Sequence, residues 1–85
     1  MIKIQEVSAP GCSHCEEARQ TLQKEIKSQF PNVEMEFIDM MTEKGMEMVQ
    51  KYGIMASPGI IINDELFSVG GLDKNKLIEK VKSLQ

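Results

Sequence analysis

The 85-residue chain contains no tryptophan, one tyrosine, one histidine and two cysteines. It has no apolar run near the ~20 residues that a membrane-spanning helix needs, so we do not expect it to cross a membrane. It also lacks an excess of basic residues, since its formal net charge is −3 at neutral pH. A nucleic-acid-binding domain carries a basic patch. Neither nucleic acid nor an anionic membrane surface is therefore an expected partner.

The length fits one small domain over residues 1–85 and is too short for two. The N-terminal residues 1–7 alternate like a strand and lack the long apolar stretch of a signal peptide. We therefore expect a cytoplasmic protein. In that compartment a lone cysteine pair is more often catalytic or metal-binding than a structural staple. Nothing in the sequence indicates an obligate oligomer, so we expect a monomer.

The apolar pattern predicts an α/β chain with the order β-α-β-α-β-β-α. Two β-α-β steps imply a parallel portion of the sheet with right-handed crossovers, and a two-residue turn at Asn63-Asp64 adds an antiparallel hairpin at its edge. The expected strands and helices are, in chain order, 2–7, 12–30, 33–39, 42–52, 59–62, 66–69 and 73–84. The result is a four-stranded mixed sheet flanked by three helices.

The chain has seven methionines, and most of them occupy apolar positions of this pattern. Methionine fills irregular gaps in protein cores, so we interpret them as core residues. In the second helix the apolar spacing predicts a buried face through Met46, Val49 and Tyr52.

Both cysteines lie in the run Cys12-Ser13-His14-Cys15. Side chains at i and i+3 of a helix are about 5–6 Å apart at Cβ, and a small adjustment allows a disulfide. The pair follows a strand and the Pro10-Gly11 turn, where a helix should begin. A helix N-terminus favours a thiolate. In a redox reaction, Cys12 would be the attacking thiolate and Cys15 the resolving thiol.

Alternatives to redox chemistry remain open at this point. Cys12 and Cys15 supply two soft ligands, whereas a closed zinc site needs four. A two-coordinate Cu(I) site suits thiolates, so the second hypothesis is a soft-metal carrier. A third is a module that only binds a partner. His14 either favours the Cys12 thiolate through its imidazole or is an exposed first-turn residue without a role.

Three features together carry a family resemblance over nearly the full length. The first is the Cys-x-x-Cys run after the first strand. The second is the segment 51–58, Lys-Tyr-Gly-Ile-Met-Ala-Ser-Pro, and the third is the segment 69–73, Val-Gly-Gly-Leu-Asp. The chain resembles the thioredoxin superfamily, in the short form that glutaredoxins use. The resemblance implies a thioredoxin fold and thiol–disulfide oxidoreductase activity.

The resemblance also implies roles for further residues. Pro58 would follow a cis peptide bond and pack against the cysteine pair, and Ser57 would offer its backbone N–H and C=O to an extended substrate. Gly70, Gly71 and Asp73 would lie where glutaredoxins hold the γ-glutamyl end of glutathione. The protein would need no cofactor beyond its own disulfide. It would act on disulfide-containing proteins or small thiols, with a reductase or glutathione as electron donor.

Several positions depart from the family patterns. Ala9 stands where glutaredoxins usually carry a lysine, and Gly11 stands where thioredoxins place a tryptophan. Glu6 occupies the position of a buried aspartate in thioredoxins, so it is a candidate proton acceptor for Cys15. The alternative for Glu6 is a solvated strand carboxylate.

Overall fold

A mixed sheet forms the centre of the computed structural model, which describes residues 2–85; Met1 lies outside them. The strands lie in the order β2-β1-β3-β4. β2 is parallel to β1, whereas β3 is antiparallel to both β1 and β4. The predicted element order and the mixed sheet are confirmed. The expectation that the second β-α-β step also joins parallel strands is wrong, because β3 is antiparallel to β1 and therefore also to β2. The strand bounds are β1 Lys3–Ser8, β2 Glu34–Asp39, β3 Gly59–Ile62 and β4 Glu65–Val69.

The first helix is continuous but not regular. α1 (Ser13–Gln20) continues through π-helical turns at Thr21–Ile26 into the short α2 (Lys27–Gln29). Its apolar residues recur mostly every four positions, which exceeds the 3.6 residues of an α-helical turn. Wider π-helical turns absorb that excess and keep Leu22 and Ile26 fully buried.

Two further helices complete the chain. They are α3 (Glu43–Tyr52) and α4 (Lys74–Leu84). No helix within residues 2–85 is both long and apolar enough to cross a membrane.

The sheet separates two hydrophobic clusters. The larger lies under α1 and α4, and its buried members are Ile2, Ile4, Ala18, Leu22, Ile26, Val33, Ile60, Ile62, Leu77 and Val81. The smaller lies under α3, and its buried members are Val7, Ile38, Met48, Ile54 and Ile61. Because successive strand residues point to opposite faces, Ile4 and Glu6 of β1 face the larger cluster.

The turns and helix caps follow the local sequence. Thr42 and Asp73 each accept a hydrogen bond from the backbone N–H three residues on, so they cap α3 and α4. Gly53 has a left-handed φ of 65° just past the end of α3. Asn63 and Asp64 have φ of 50° and 65°, as a two-residue type I′ hairpin requires. The predicted hairpin turn is confirmed.

The expected role of the methionines is only partly correct. Met48 is buried, but Met46 is 52% exposed, and Met41 and Met55 are 69% and 91% exposed. The prediction that Met46 faces the core is therefore wrong. The reason is Gly45, where a Cβ would collide with the backbone of Asp39. This close approach sets the rotation of α3, so the buried methionine is the one three residues after Gly45.

Candidate active site

The cysteine pair lies where β1 ends and α1 begins. A turn after Ser8 includes Gly11, whose φ of 72° is a left-handed conformation that favours glycine. Cys12 is the N-cap residue of α1, and Cys15 lies in its first turn. The two residues form a disulfide with a Cα–Cα distance of 5.2 Å, within the usual range. The turn thus places both cysteines just beyond the C-terminal end of β1, a central strand of the sheet.

The two sulfurs have different surroundings. Cys15 is only 5% exposed, whereas Cys12 is half-buried. The Cys12 Sγ accepts a hydrogen bond from the backbone N–H of Cys15 at 3.1 Å. This N–H is one of the free donors at the helix start, where negative charge is favoured. Cys12 is therefore the more exposed of the two cysteines, and its sulfur lies at the helix start, where negative charge is favoured.

The segment before β3 lies directly against Cys12. The Ser57–Pro58 peptide bond is cis, and Pro58 is fully buried. The Ser57 Oγ lies 3.4 Å from the Cys12 Sγ, within hydrogen-bond distance for sulfur. This contact brings together two residues that are 45 positions apart in the sequence.

The segment after β4 lies next to Pro58. Gly70 has a φ of 81°, and its N–H donates to the Pro58 carbonyl at 3.0 Å. The Gly71 carbonyl accepts a hydrogen bond from the Ser68 hydroxyl at 3.0 Å. Asp73 is exposed, and its Oδ1 accepts the Lys76 N–H as the cap of α4. The structure therefore brings Gly70 to the proline segment, while one Asp73 oxygen already has a structural partner.

His14 points toward its own helix. Its side chain is 67% exposed, and its Nδ1 lies 4.0 Å from a carboxylate oxygen of Glu17. Within residues 2–85, the hydrogen-bond donors to the Cys12 sulfur are the Cys15 N–H and the Ser57 hydroxyl, and His14 is not among them.

Glu6 is fully buried, and neither carboxylate oxygen has a hydrogen-bond partner within residues 2–85. The alternative that Glu6 is a solvated strand carboxylate is therefore wrong. β1 lies between β2 and β3, and the direct neighbours of Glu6 across the sheet are Phe37 and Ile60. α1 covers this face of the sheet, so water is excluded.

Burial without a hydrogen-bond partner disfavours the charged carboxylate. This desolvation raises the pKa of Glu6 to about 7; the positive charge of Arg19 opposes the rise and the negative charge of Glu16 adds to it. A carboxyl group with this pKa exchanges its proton near neutral pH, which suits a general acid or base.

An open cleft of about 520 Å³ borders the disulfide on the side of β2. Cys12, Cys15 and Arg19 contribute to its lining. The Arg19 guanidinium lies over the Phe37 ring, 5.2 Å from the ring centre. The sequence pattern did not identify Arg19 as a site residue. The signal that could have located it is its spacing of four residues from Cys15, which puts both on one side of α1.

The cysteine pair does not belong to a larger cluster of potential metal ligands in the described part of the chain. No group of three His, Cys, Asp or Glu side chains there could hold a metal ion. Cys12 and Cys15 are therefore not part of a closed four-ligand site of His, Cys, Asp and Glu side chains within residues 2–85.

Known proteins resemble the chain in sequence. The family model described as a thioredoxin domain matches residues 2–83. A thioredoxin from Methanocaldococcus jannaschii is 37% identical over 84 residues, which cover 95% of this chain and 93% of that protein. A probable thioredoxin from Methanothermobacter marburgensis is 30% identical over 81 residues, with the same shares covered.

Solved structures share the fold. Oxidised mitochondrial thioredoxin 3 from Saccharomyces cerevisiae matches with a TM-score of 0.75 at 16% identity, over 96% of this chain and 77% of that chain. An uncharacterised thioredoxin-like protein from Clostridium perfringens matches with a TM-score of 0.81 at 18% identity, over 99% of this chain and 71% of that chain. The chain has the thioredoxin fold and belongs to the thioredoxin domain family, with a Cys12–Cys15 disulfide at the position expected for redox exchange.

Proposed function

We propose that the protein is a thioredoxin-type thiol–disulfide oxidoreductase. In the reduced protein, the Cys12 thiolate attacks one sulfur of a substrate disulfide, and the other substrate sulfur leaves as a thiolate. Cys15 then attacks the Cys12 sulfur, which releases the second substrate thiol and forms the Cys12–Cys15 disulfide. Two electrons pass to the substrate. The observation that carries the proposal is the disulfide at the start of α1, in which Cys12 is half-buried and Cys15 is buried.

Glu6 is proposed as the proton acceptor for Cys15. Cys15 must lose its thiol proton before it can attack, and it lies on the helix that covers the Glu6 face of β1. The pKa of Glu6, raised by burial to about 7, allows it to accept that proton at neutral pH. Neither Glu6 oxygen has a hydrogen-bond partner within residues 2–85, so both are free to accept a proton, which supports the role.

We propose that substrates dock as an extended segment beside Ser57. Its backbone groups would pair with the substrate main chain, as in strand addition. The partners would be disulfide-containing proteins, and cytoplasmic action suits a lone cysteine pair used for exchange.

A dithiol reductase is the electron donor that we favour over glutathione. The Gly70 N–H and one Asp73 oxygen already have partners, which weakens the case for a γ-glutamyl site there. Glutathione-dependent turnover of a small mixed disulfide is the measurement that would favour the glutaredoxin-like alternative.

Insulin reduction driven by dithiothreitol tests the proposal. The wild-type protein should accelerate precipitation of the insulin chains, and Cys12→Ser should abolish the acceleration. Cys15→Ser keeps the attacking thiol but cannot resolve, so when the pre-reduced variant is mixed with insulin in the absence of dithiothreitol it should accumulate a one-to-one mixed disulfide. No acceleration by the wild-type protein, or equal activity in Cys12→Ser, would contradict the proposal.

The second candidate is a Cu(I) carrier, which the two adjacent thiols of the reduced protein favour. Titration of Cu(I) into the reduced protein distinguishes the two functions. Tight binding of one Cu(I), together with no insulin reduction, would replace the redox function by the carrier function.

A further inference from the structure

The hydroxyl of Ser57 contacts the reactive sulfur. Its Oγ lies 3.4 Å from the Cys12 Sγ. The same sulfur also accepts the Cys15 N–H at 3.1 Å. Because a hydroxyl can donate its proton and sulfur is a weak acceptor, the natural direction of this bond is from Ser57 to Cys12. The Cys12 sulfur thus has two hydrogen-bond donors. One is a backbone N–H of its own helix, and the other is the side-chain hydroxyl of the segment before β3.

The backbone around Ser57 holds the hydroxyl in place. β3 begins two residues later at Gly59, which pairs with Val7 of β1 and with Val69 of β4. β1 is also the strand that leads into the Cys12 turn. The sheet therefore fixes both partners of the contact, and Ser57 itself is half-buried, which limits competition from water.

We propose that the Ser57 side chain donates a hydrogen bond to the Cys12 thiolate of the reduced protein, and so stabilises the attacking sulfur and makes the disulfide more oxidising. This inference rests on the proposed function. It adds a side-chain role to a residue whose expected contribution was its backbone alone.

The chemistry follows from the charge of the acceptor. A hydrogen bond to an ionised group is roughly twice as strong as a neutral one, so the bond strengthens when Cys12 loses its proton to solvent. During attack, the Cys12 sulfur forms a bond to a substrate sulfur, the substrate S–S bond breaks, and its electron pair leaves on the departing thiolate. The Ser57 O–H keeps its proton throughout. Ser57 therefore acts as a hydrogen-bond donor and not as an acid.

The test compares Ser57→Thr with Ser57→Val, which have the same shape and differ by the hydroxyl. The pKa of the Cys12 thiol is measured from thiolate absorbance at 240 nm and from the pH dependence of iodoacetamide alkylation. Ser57→Val should raise this pKa by about one unit, a tenfold loss of thiolate below the pKa, which is equivalent to about 1.4 kcal/mol. Ser57→Thr should stay within a few tenths of the wild-type value.

The redox equilibrium gives a second readout. In dithiothreitol buffers at pH 9, Ser57→Val should shift the dithiol–disulfide equilibrium up to tenfold toward the disulfide. A tenfold shift corresponds to about 30 mV for two electrons. Ser68→Ala is the control, because it removes another half-buried hydroxyl, one that bonds to Gly71. It should leave the Cys12 pKa unchanged.

An unchanged Cys12 pKa in Ser57→Val would overturn the inference, as would an equal shift in Ser57→Thr. Circular dichroism checks that each variant folds, and Ser57→Ala replaces Ser57→Val if the larger side chain disrupts the site. The alkylation readout needs no substrate. A failure of insulin reduction in the wild-type protein would therefore count against the proposed function alone, and a normal Cys12 pKa in Ser57→Val against this inference alone.

Discussion

Replacing Glu6 by glutamine should change how stability depends on pH. The pKa of Glu6 is raised by burial from 4.5 to about 7 in the folded protein. Between these values the unfolded chain releases a proton that the folded protein retains, so stability is lost as pH rises. One pKa unit is worth 1.36 kcal/mol, so the free energy of unfolding of the wild-type protein falls by about 3 kcal/mol in total by pH 8. Glutamine does not ionise and avoids this loss.

Urea unfolding of the oxidised protein at pH 4, 6 and 8 measures the effect. The free energy of unfolding of Glu6→Gln, relative to wild type, should increase by about 3 kcal/mol from pH 4 to pH 8. The buried amide carries its own desolvation cost, but that cost is independent of pH and cancels in the comparison. A difference that is constant with pH, or one that falls as pH rises, would refute the burial argument for Glu6.

Three other substitutions have defined outcomes. Arg19→Gln removes the charge that opposes the rise in the Glu6 pKa, so the pH midpoint of the Glu6-dependent stability loss should move upward in urea titrations; a downward shift would contradict this. Glu36→Gln should destabilise the protein by roughly 1 kcal/mol at pH 7, because hydrogen bonds lower the pKa of that carboxyl to about 2; the effect should fade as pH falls from 4.5 to 2, and a constant effect would contradict it. Gly45→Ala should cost about 1–3 kcal/mol in thermal or urea unfolding, because its Cβ would collide with the Asp39 backbone; a neutral result would show that α3 shifts freely.

The fold was predictable wherever local patterns act alone. The short apolar strands and the Asn63-Asp64 turn depend on residues close in sequence, and both agree with the structure. Met46 was misplaced because the rotation of α3 depends on a tertiary contact of Gly45. The periodicity of apolar residues gives no information about a contact between α3 and the backbone of Asp39.

The site was predictable in its residues more than in its interactions. Cys12 and Cys15 followed from spacing, and their disulfide is present. Two features needed the packed sheet: the full burial of Glu6 on the central strand, and the approach of the Ser57 hydroxyl to Cys12. Arg19 was overlooked because a charged residue on a helix usually faces solvent. Here its guanidinium lies over the Phe37 ring beside the cleft.

The reduction potential of the Cys12–Cys15 pair tests the central claim most directly. The protein is equilibrated in thiol–disulfide buffers at pH 7, and the dithiol fraction is followed by alkylation. We predict one two-electron transition between about −270 and −120 mV, the range of exchange-active pairs, with the pair passing reversibly between both states. A potential below about −300 mV is typical of a structural disulfide and would contradict the account.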